Sequence, residues 1–228
     1  VTIYTISYNE ELLLRFFIKW YRDRFPDCKI VIYDNYSTDS TEEIAIKNGC
    51  EVIKYDSGGE IRDDIYLEIK NNCWKKEKGW AIVCDVDELM DVNEEYLSTT
   101  QYDIIGGKGF EMVGTDSDSL ETINRGTYNA GYSKLICFNT ERVTEINYSA
   151  GCHVANPKGA NLKTGTEQRP LYHFKWVNGT YPFERYKLFS ERMSKKNKDN
   201  GWAIHYDFSL KVQQDYYNSL LKTSIKVL

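Results

Sequence analysis

Over the first ninety residues, short β-branched and aromatic runs alternate with stretches whose apolar positions recur every three or four residues. Residues 2–6 (Thr-Ile-Tyr-Thr-Ile) predict a strand. Residues 9–24 carry Leu12, Leu13, Phe16, Phe17 and Trp20 at helical spacing and stop before Pro26. Residues 29–33 are nearly all apolar, as suits a parallel strand covered on both faces. Asp39 or Thr41 can cap a helix running to Asn48, and Gly49 ends it. Residues 51–54 predict a third strand, residues 61–78 a longer helix, and residues 80–84 a fourth strand. This alternation predicts an α/β fold of βαβ units, with a mostly parallel central sheet flanked by helices.

After Asp91 the rhythm changes. Residues 104–113, 132–138 and 148–154 predict strands between Gly, Asp and Asn clusters, and helices are expected at about 182–196 and 207–222. No repeat or low-complexity linker divides the chain. We therefore expect one domain in two halves, a nucleotide-binding half at 1–91 and a looser half at 92–228 that shapes a second pocket.

Composition narrows the possibilities. The 228 residues are 41% hydrophobic and 28% charged with a net charge of −5, an ordinary globular balance without the basic field that nucleic acid requires. The longest apolar run, residues 80–84, is far short of the ~20 residues of a membrane span. Six scattered cysteines without a CxxC suggest reduced, mostly buried thiols. The chain opens directly on a strand, with no basic-then-apolar leader, so a cytoplasmic location is expected.

The chemistry is concentrated at strand ends, where open parallel sheets bind ligands. Ser7-Tyr8-Asn9-Glu10 follows the first strand, and Asp34-Asn35-Tyr36-Ser37-Thr38-Asp39 the second. Asp56-Ser57-Gly58-Gly59, then Arg62 and Asp63, follow the third, and Asp85-Val86-Asp87-Glu88 the fourth. No glycine-rich phosphate loop occurs, so a pyrophosphate here needs another counter-charge. Asp85 and Asp87 can supply it by holding Mg²⁺ or Mn²⁺. A second D-x-D, Asp116 and Asp118, reads as solvated loop.

Thr5-Ile6-Ser7-Tyr8-Asn9-Glu10-Glu11-Leu12, the segment from Ile32 through Asp34 and Asp39 to Thr41, and Trp80 to Glu88 together resemble family 2 glycosyltransferases of the GT-A fold. Within that family the chain is most similar to the small enzymes encoded by chlorella viruses, which would put it in a host cytoplasm. The resemblance implies a hexosyl- or pentosyltransferase moving a sugar from a nucleotide sugar, a UDP-sugar, to a glycan or glycoprotein hydroxyl. It implies that Ile6, Ser7 and Tyr8 line the nucleobase pocket, with Tyr8 stacked on uracil. Asp34 would bond the base or ribose, and Arg62 would approach the uracil or phosphate. Asp85, with Val86 beside it, would face the nucleotide sugar and an Mn²⁺ or Mg²⁺ ion, which Asp87 would bind directly. A downstream histidine, His153 or His173, would complete the metal site. Tyr36 and Ser40 stand where the family commonly has glycine. If transfer inverts the anomeric centre, Glu111 or Asp116, expected in a loop after the fifth strand, is the available base.

Two other functions fit less well. A nucleotidyltransferase acting on a sugar phosphate would want a glycine- and Arg/Lys-rich loop after the first strand, which Ser7-Tyr8-Asn9-Glu10 does not provide. A catalytically inactive glycan- or nucleotide-binding domain would have no need of Asp85 and Asp87.

Overall fold

The computed structural model describes every residue except Thr166. It is a mixed α/β domain with a mostly parallel central sheet and flanking helices. Its first half comprises β1 (Thr2–Ser7), α1 (Glu11–Arg24), β2 (Lys29–Asp34), α2 (Thr41–Lys47), β3 (Glu51–Lys54), α3 (Asp63–Asn72) and β4 (Trp80–Val83). Then come β5 (Glu88–Met90), α4 (Glu94–Thr99), β6 (Ile104–Ile105), β7 (Gly107–Val113), β8 (Arg125–Tyr128), β9 (Cys137–Asn139) and β10 (Arg169–Trp176). The chain closes with α5 (Tyr181–Glu191), α6 (Lys195–Asn200), α7 (Leu210–Thr223) and β11 (Ile225–Lys226).

The central sheet runs β3-β2-β1-β4-β9-β6, with the first four strands parallel and β9 antiparallel to both its neighbours. Alternate residues of each strand serve opposite faces. Ile3, Ile30, Ile32 and Ile82 join the core formed with Leu13, Phe17 and Tyr21 of α1, whereas Tyr4, Val31, Ala81 and Val83 pack with Trp74 on the other side. Helix α1 also fastens β5 from outside the sheet. The Tyr21 hydroxyl donates to the Glu88 carbonyl at 3.1 Å and accepts from the Met90 amide at 3.2 Å, while Trp20 Nε1 donates to the Met90 carbonyl at 3.0 Å. The segment holding Asp85 to Glu88 is thereby anchored at its far end.

A second sheet, β11-β8-β7-β10-β5, combines β5 with later strands, and in it β10 lies parallel to β7 and antiparallel to β5. Register places His173 opposite both Glu88 and Glu111. Gly109 lets the turn at Ala130–Tyr132 lie on β7, because a Cβ there would stand 2.5 Å from the Tyr132 carbonyl carbon.

Several expected elements differ. Residues 104–113 are not one strand: β6 belongs to the central sheet and β7 to the second, with Gly106 at the crossing. Of residues 132–138 only Cys137 and Phe138 are in strand, in β9. Residues 148–154 form no strand, because left-handed backbone at Asn147, Gly151 and Cys152 breaks any ladder. The helix expected over 61–78 ends at Asn72. The helix expected over 182–196 divides into α5 and α6, since Ile61 intervenes, its amide donating to the Arg192 carbonyl at 2.7 Å. All six cysteines are free thiols. Among the described residues no helix is long and apolar enough to cross a membrane.

Candidate active site

A cavity of about 550 Å³ opens beyond the carboxyl ends of β1 and β4, within the size range of small-molecule sites. Ile6, Ser7, Tyr8, Asp85, Val86 and Asp87 line it, together with His153 and His173. Helix α3 contributes Asp63, Tyr66, Leu67 and Lys70, one face at helical spacing, and α5 with the residue just after it contributes Arg185, Phe189 and Arg192. Lys134 and Lys175 enter from the second half.

The acids of this cavity are paired with protein cations. Asp87 Oδ2 accepts from Arg185 Nη1 at 2.5 Å and lies 3.4 Å from His173 Nε2. The other arm of Arg185, Nη2, reaches Glu10 Oε1 at 2.6 Å, and the Tyr181 hydroxyl donates to Glu10 Oε2 at 3.2 Å. Asp85 Oδ1 accepts from Lys70 Nζ at 2.5 Å, and Lys134 Nζ stands 3.6 Å from its Oδ2 and 2.5 Å from Glu88 Oε1. Burial favours the neutral acids, but Arg185 and His173 outweigh it and hold Asp87 well below the usual carboxylate range. Lys70 and Lys134 likewise outweigh burial and keep Asp85 at about 2.

Two groups stand apart. Asp63 has no Lys or Arg within ion-pair distance among the described residues, and burial raises its pKa. Lys175 is buried without a carboxylate partner, and desolvation lowers it to about 8.

The expected site residues divide. Tyr8 lies in the cavity with the Arg192 guanidinium 3.3 Å from its ring centre. Asp34 does not line the cavity: it accepts from the Ser37 amide and hydroxyl at 3.1 and 2.5 Å and from Lys54 Nζ at 2.5 Å. Arg62 is turned to Asp64, its Nε and Nη2 at 2.8 and 2.7 Å from the two carboxylate oxygens, and it too lies outside the lining. Glu111 lies inside strand β7 rather than in a loop. Its carboxylate accepts from Trp176 Nε1 at 2.7 Å, from Asn129 Nδ2 at 3.3 Å and from the Tyr216 hydroxyl. Asp116 is exposed beside Gly179. Neither of these expected bases lines the cavity.

Two aspartates and a histidine have suitable donor chemistry for Mn²⁺ or Mg²⁺, yet the arrangement does not fit a metal. Among the described residues no group of three or more His, Cys, Asp or Glu is placed to hold one. Where Asp85, Asp87 and His153 or His173 were expected to hold a metal, Lys70 and Lys134 pair with Asp85 and Arg185 pairs with Asp87. Local pattern had not marked those cations, nor Lys175 or Arg192, although the shared faces of α3 and α5 were readable from their spacing.

No family model matches the chain, and no curated protein matches it. Among solved structures it is similar to S. aureus TarS 1-349, at 15% identity and a TM-score of 0.44 over 82% of this chain and 62% of that one. It is also similar to the mannosyltransferase PcManGT from Pyrobaculum calidifontis in complex with GDP-Man and Mn²⁺, at 9% identity and a TM-score of 0.47 over 84% of this chain and 61% of that one. A third is glucosyl-3-phosphoglycerate synthase from Mycobacterium tuberculosis in complex with Mn²⁺, UDP and glucosyl-3-phosphoglycerate, at 18% identity and a TM-score of 0.34 over 48% of this chain and 43% of that one. The chain thus spans less than two thirds of each of these structures. These likenesses are distant, and the functional reading rests on the cavity.

Proposed function

We propose that the chain is a family 2-like glycosyltransferase that moves a sugar from a nucleotide sugar, a UDP-sugar, to a hydroxyl of a glycan or glycoprotein. One observation carries this reading: a single cavity at the sheet's carboxyl edge holds both an aromatic ring, Tyr8, and a cluster of cations, Lys70, Lys134, Lys175 and Arg185. The ring suits a nucleobase, because every base offers a π-face for stacking. The cations suit the negative charge that builds on a departing nucleoside diphosphate, where fixed charges stabilise the transition state without rearranging. Residues 1–91 would hold the nucleobase end of the donor, while 92–228 would reach its diphosphate with Lys134, Lys175 and Arg185 and shape the acceptor side.

The reaction requires an acceptor hydroxyl to attack the anomeric carbon as the bond to the diphosphate breaks. If it inverts, the hydroxyl proton goes to a carboxylate. Asp63 is the cavity acid with spare capacity, since Asp85, Asp87, Glu10 and Glu88 each engage a cation. The nucleotidyltransferase alternative gains nothing, since β1 is followed by no basic, glycine-rich loop.

The test is a panel of UDP-, GDP- and ADP-sugars incubated with and without glycan acceptors, in Mn²⁺, in Mg²⁺ and in EDTA. Release of UDP that depends on Tyr8 and Lys70 is the expected result. Formation of a nucleotide sugar from a sugar phosphate and a nucleoside triphosphate would replace this reading with the nucleotidyltransferase.

A further inference from the structure

Three cavity cations, Lys70, Lys134 and Arg185, each lie 2.5 Å from a carboxylate oxygen. Lys175 does not. It is only 4% exposed, and among the described residues it has neither a carboxylate within ion-pair distance nor a hydrogen-bond acceptor. Its Nζ lies 4.7 Å from the ring centre of Tyr186 and 5.1 Å from that of Tyr206. The faces of these rings attract a cation but accept no conventional hydrogen bond, so the ammonium faces the cavity with no protein group accepting from it. The side chain comes from the middle of β10, where alternation puts Lys175 and His173 on the cavity side and Phe174 in the core. Arg185 shows a related shortage: its two terminal nitrogens are engaged by Asp87 and Glu10, while its buried Nε has no partner.

An ammonium on a cavity wall with no protein acceptor is free to make charge-assisted hydrogen bonds to a ligand that brings anionic oxygens. The neighbouring ion pairs decide which ligand. Unpaired, Asp85 and Asp87 would repel a diphosphate, and a divalent cation would have to stand between. Paired with Lys70, Lys134 and Arg185, they no longer oppose it.

We propose that Lys175, beside Arg185, anchors the diphosphate of the nucleotide sugar directly and that binding requires no divalent cation. This rests on the nucleotide-sugar reading above, and it adds to that reading which side chain carries the diphosphate.

Calorimetric titration of uridine, UMP, UDP and inorganic pyrophosphate into the whole chain, in EDTA and again in Mn²⁺, tests it. In EDTA the unmodified protein binds UDP roughly tenfold or more tighter than uridine, the worth of a charge-assisted hydrogen bond. Lys175→Met loses most of that preference and leaves uridine affinity within about twofold, while Lys175→Arg recovers part of it. Lys175→Gln provides a second neutral variant in case Met perturbs folding. Pyrophosphate binding that also falls in Lys175→Met places the contact on the phosphates. The proposal is overturned if both neutral variants keep the preference, or if the unmodified protein prefers UDP only when Mn²⁺ is present, which would leave the nucleotide-sugar reading standing. If neither uridine nor UDP binds under any condition, that reading falls as well.

Discussion

Arg185 and Asp87, 98 residues apart in sequence, meet at 2.5 Å inside the protein, and the same guanidinium reaches Glu10 at 2.6 Å. One side chain of α5 therefore joins the segment after β4 to the start of α1. Removing it would leave Asp87 and Glu10 buried without a guanidinium, with only His173 and the Tyr181 hydroxyl beside them. Arg185→Met should cost about 3–5 kcal/mol, and Arg185→Met combined with Asp87→Asn should recover part of it. Urea denaturation of the single and double variants measures both effects.

Tyr8 should act on the base and not on the phosphates. Tyr8→Ala should weaken uridine and UDP alike by about 1–3 kcal/mol, whereas Tyr8→Phe keeps the ring and stays close to the unmodified affinity. Equal binding by Tyr8→Ala in calorimetry would remove the base from this end of the cavity.

Ligand specificity is readable from melting. At one hundred times its Kd, UDP should add about 2.7 kcal/mol of stability and raise Tm, because it binds only the folded chain. A larger rise with ATP or NAD would point to another class of enzyme.

His205 sits partly buried on the cavity wall, its ring centre 4.1 Å from that of Tyr206. Burial first, and then the charge of Lys175, lower its pKa to about 3. The folded state therefore binds fewer protons than the unfolded chain between about pH 6.5 and pH 3, and stability is lost as pH falls through that window. His205→Gln should make the acid limb of the stability curve shallower by up to about one proton, read from denaturation midpoints across pH.

Glu111 is expected to be structural. Glu111→Gln retains an oxygen acceptor but loses the charge that receives Trp176 Nε1, so it should lower stability by about 1–3 kcal/mol while UDP affinity stays near the unmodified value. A loss of UDP binding as large as that of Tyr8→Ala would bring Glu111 into the donor site.

The order of β1 to β4 with their helices was legible along the chain, because strand and helix periods are local properties of a dozen residues. So was the place of the cavity, since Ser7-Tyr8 and Asp85-Val86-Asp87 directly follow strands whose interiors are apolar. Asp34 and Arg62 share that position at a strand end, yet their nearest partners, Ser37, Lys54 and Asp64, take them out of the cavity. Spacing alone could not decide between a ligand and a neighbour.

The glycine-rich half was far less legible. One apolar run supplies strands to two sheets on either side of Gly106, and the left-handed turns at Asn147, Gly151 and Cys152 override residues that would otherwise extend. The cations of the site were hidden. A lysine or arginine in a helix or strand is by default a solvated group, and nothing near Lys70, Lys134 or Arg185 in the chain announces a carboxylate partner. Packing brings them to Asp85, Asp87, Glu88 and Glu10. Once there, the cations hold Asp85 and Asp87 in their ionised form despite burial. Local pattern placed the aspartates, and long-range contacts chose the cations that answer them.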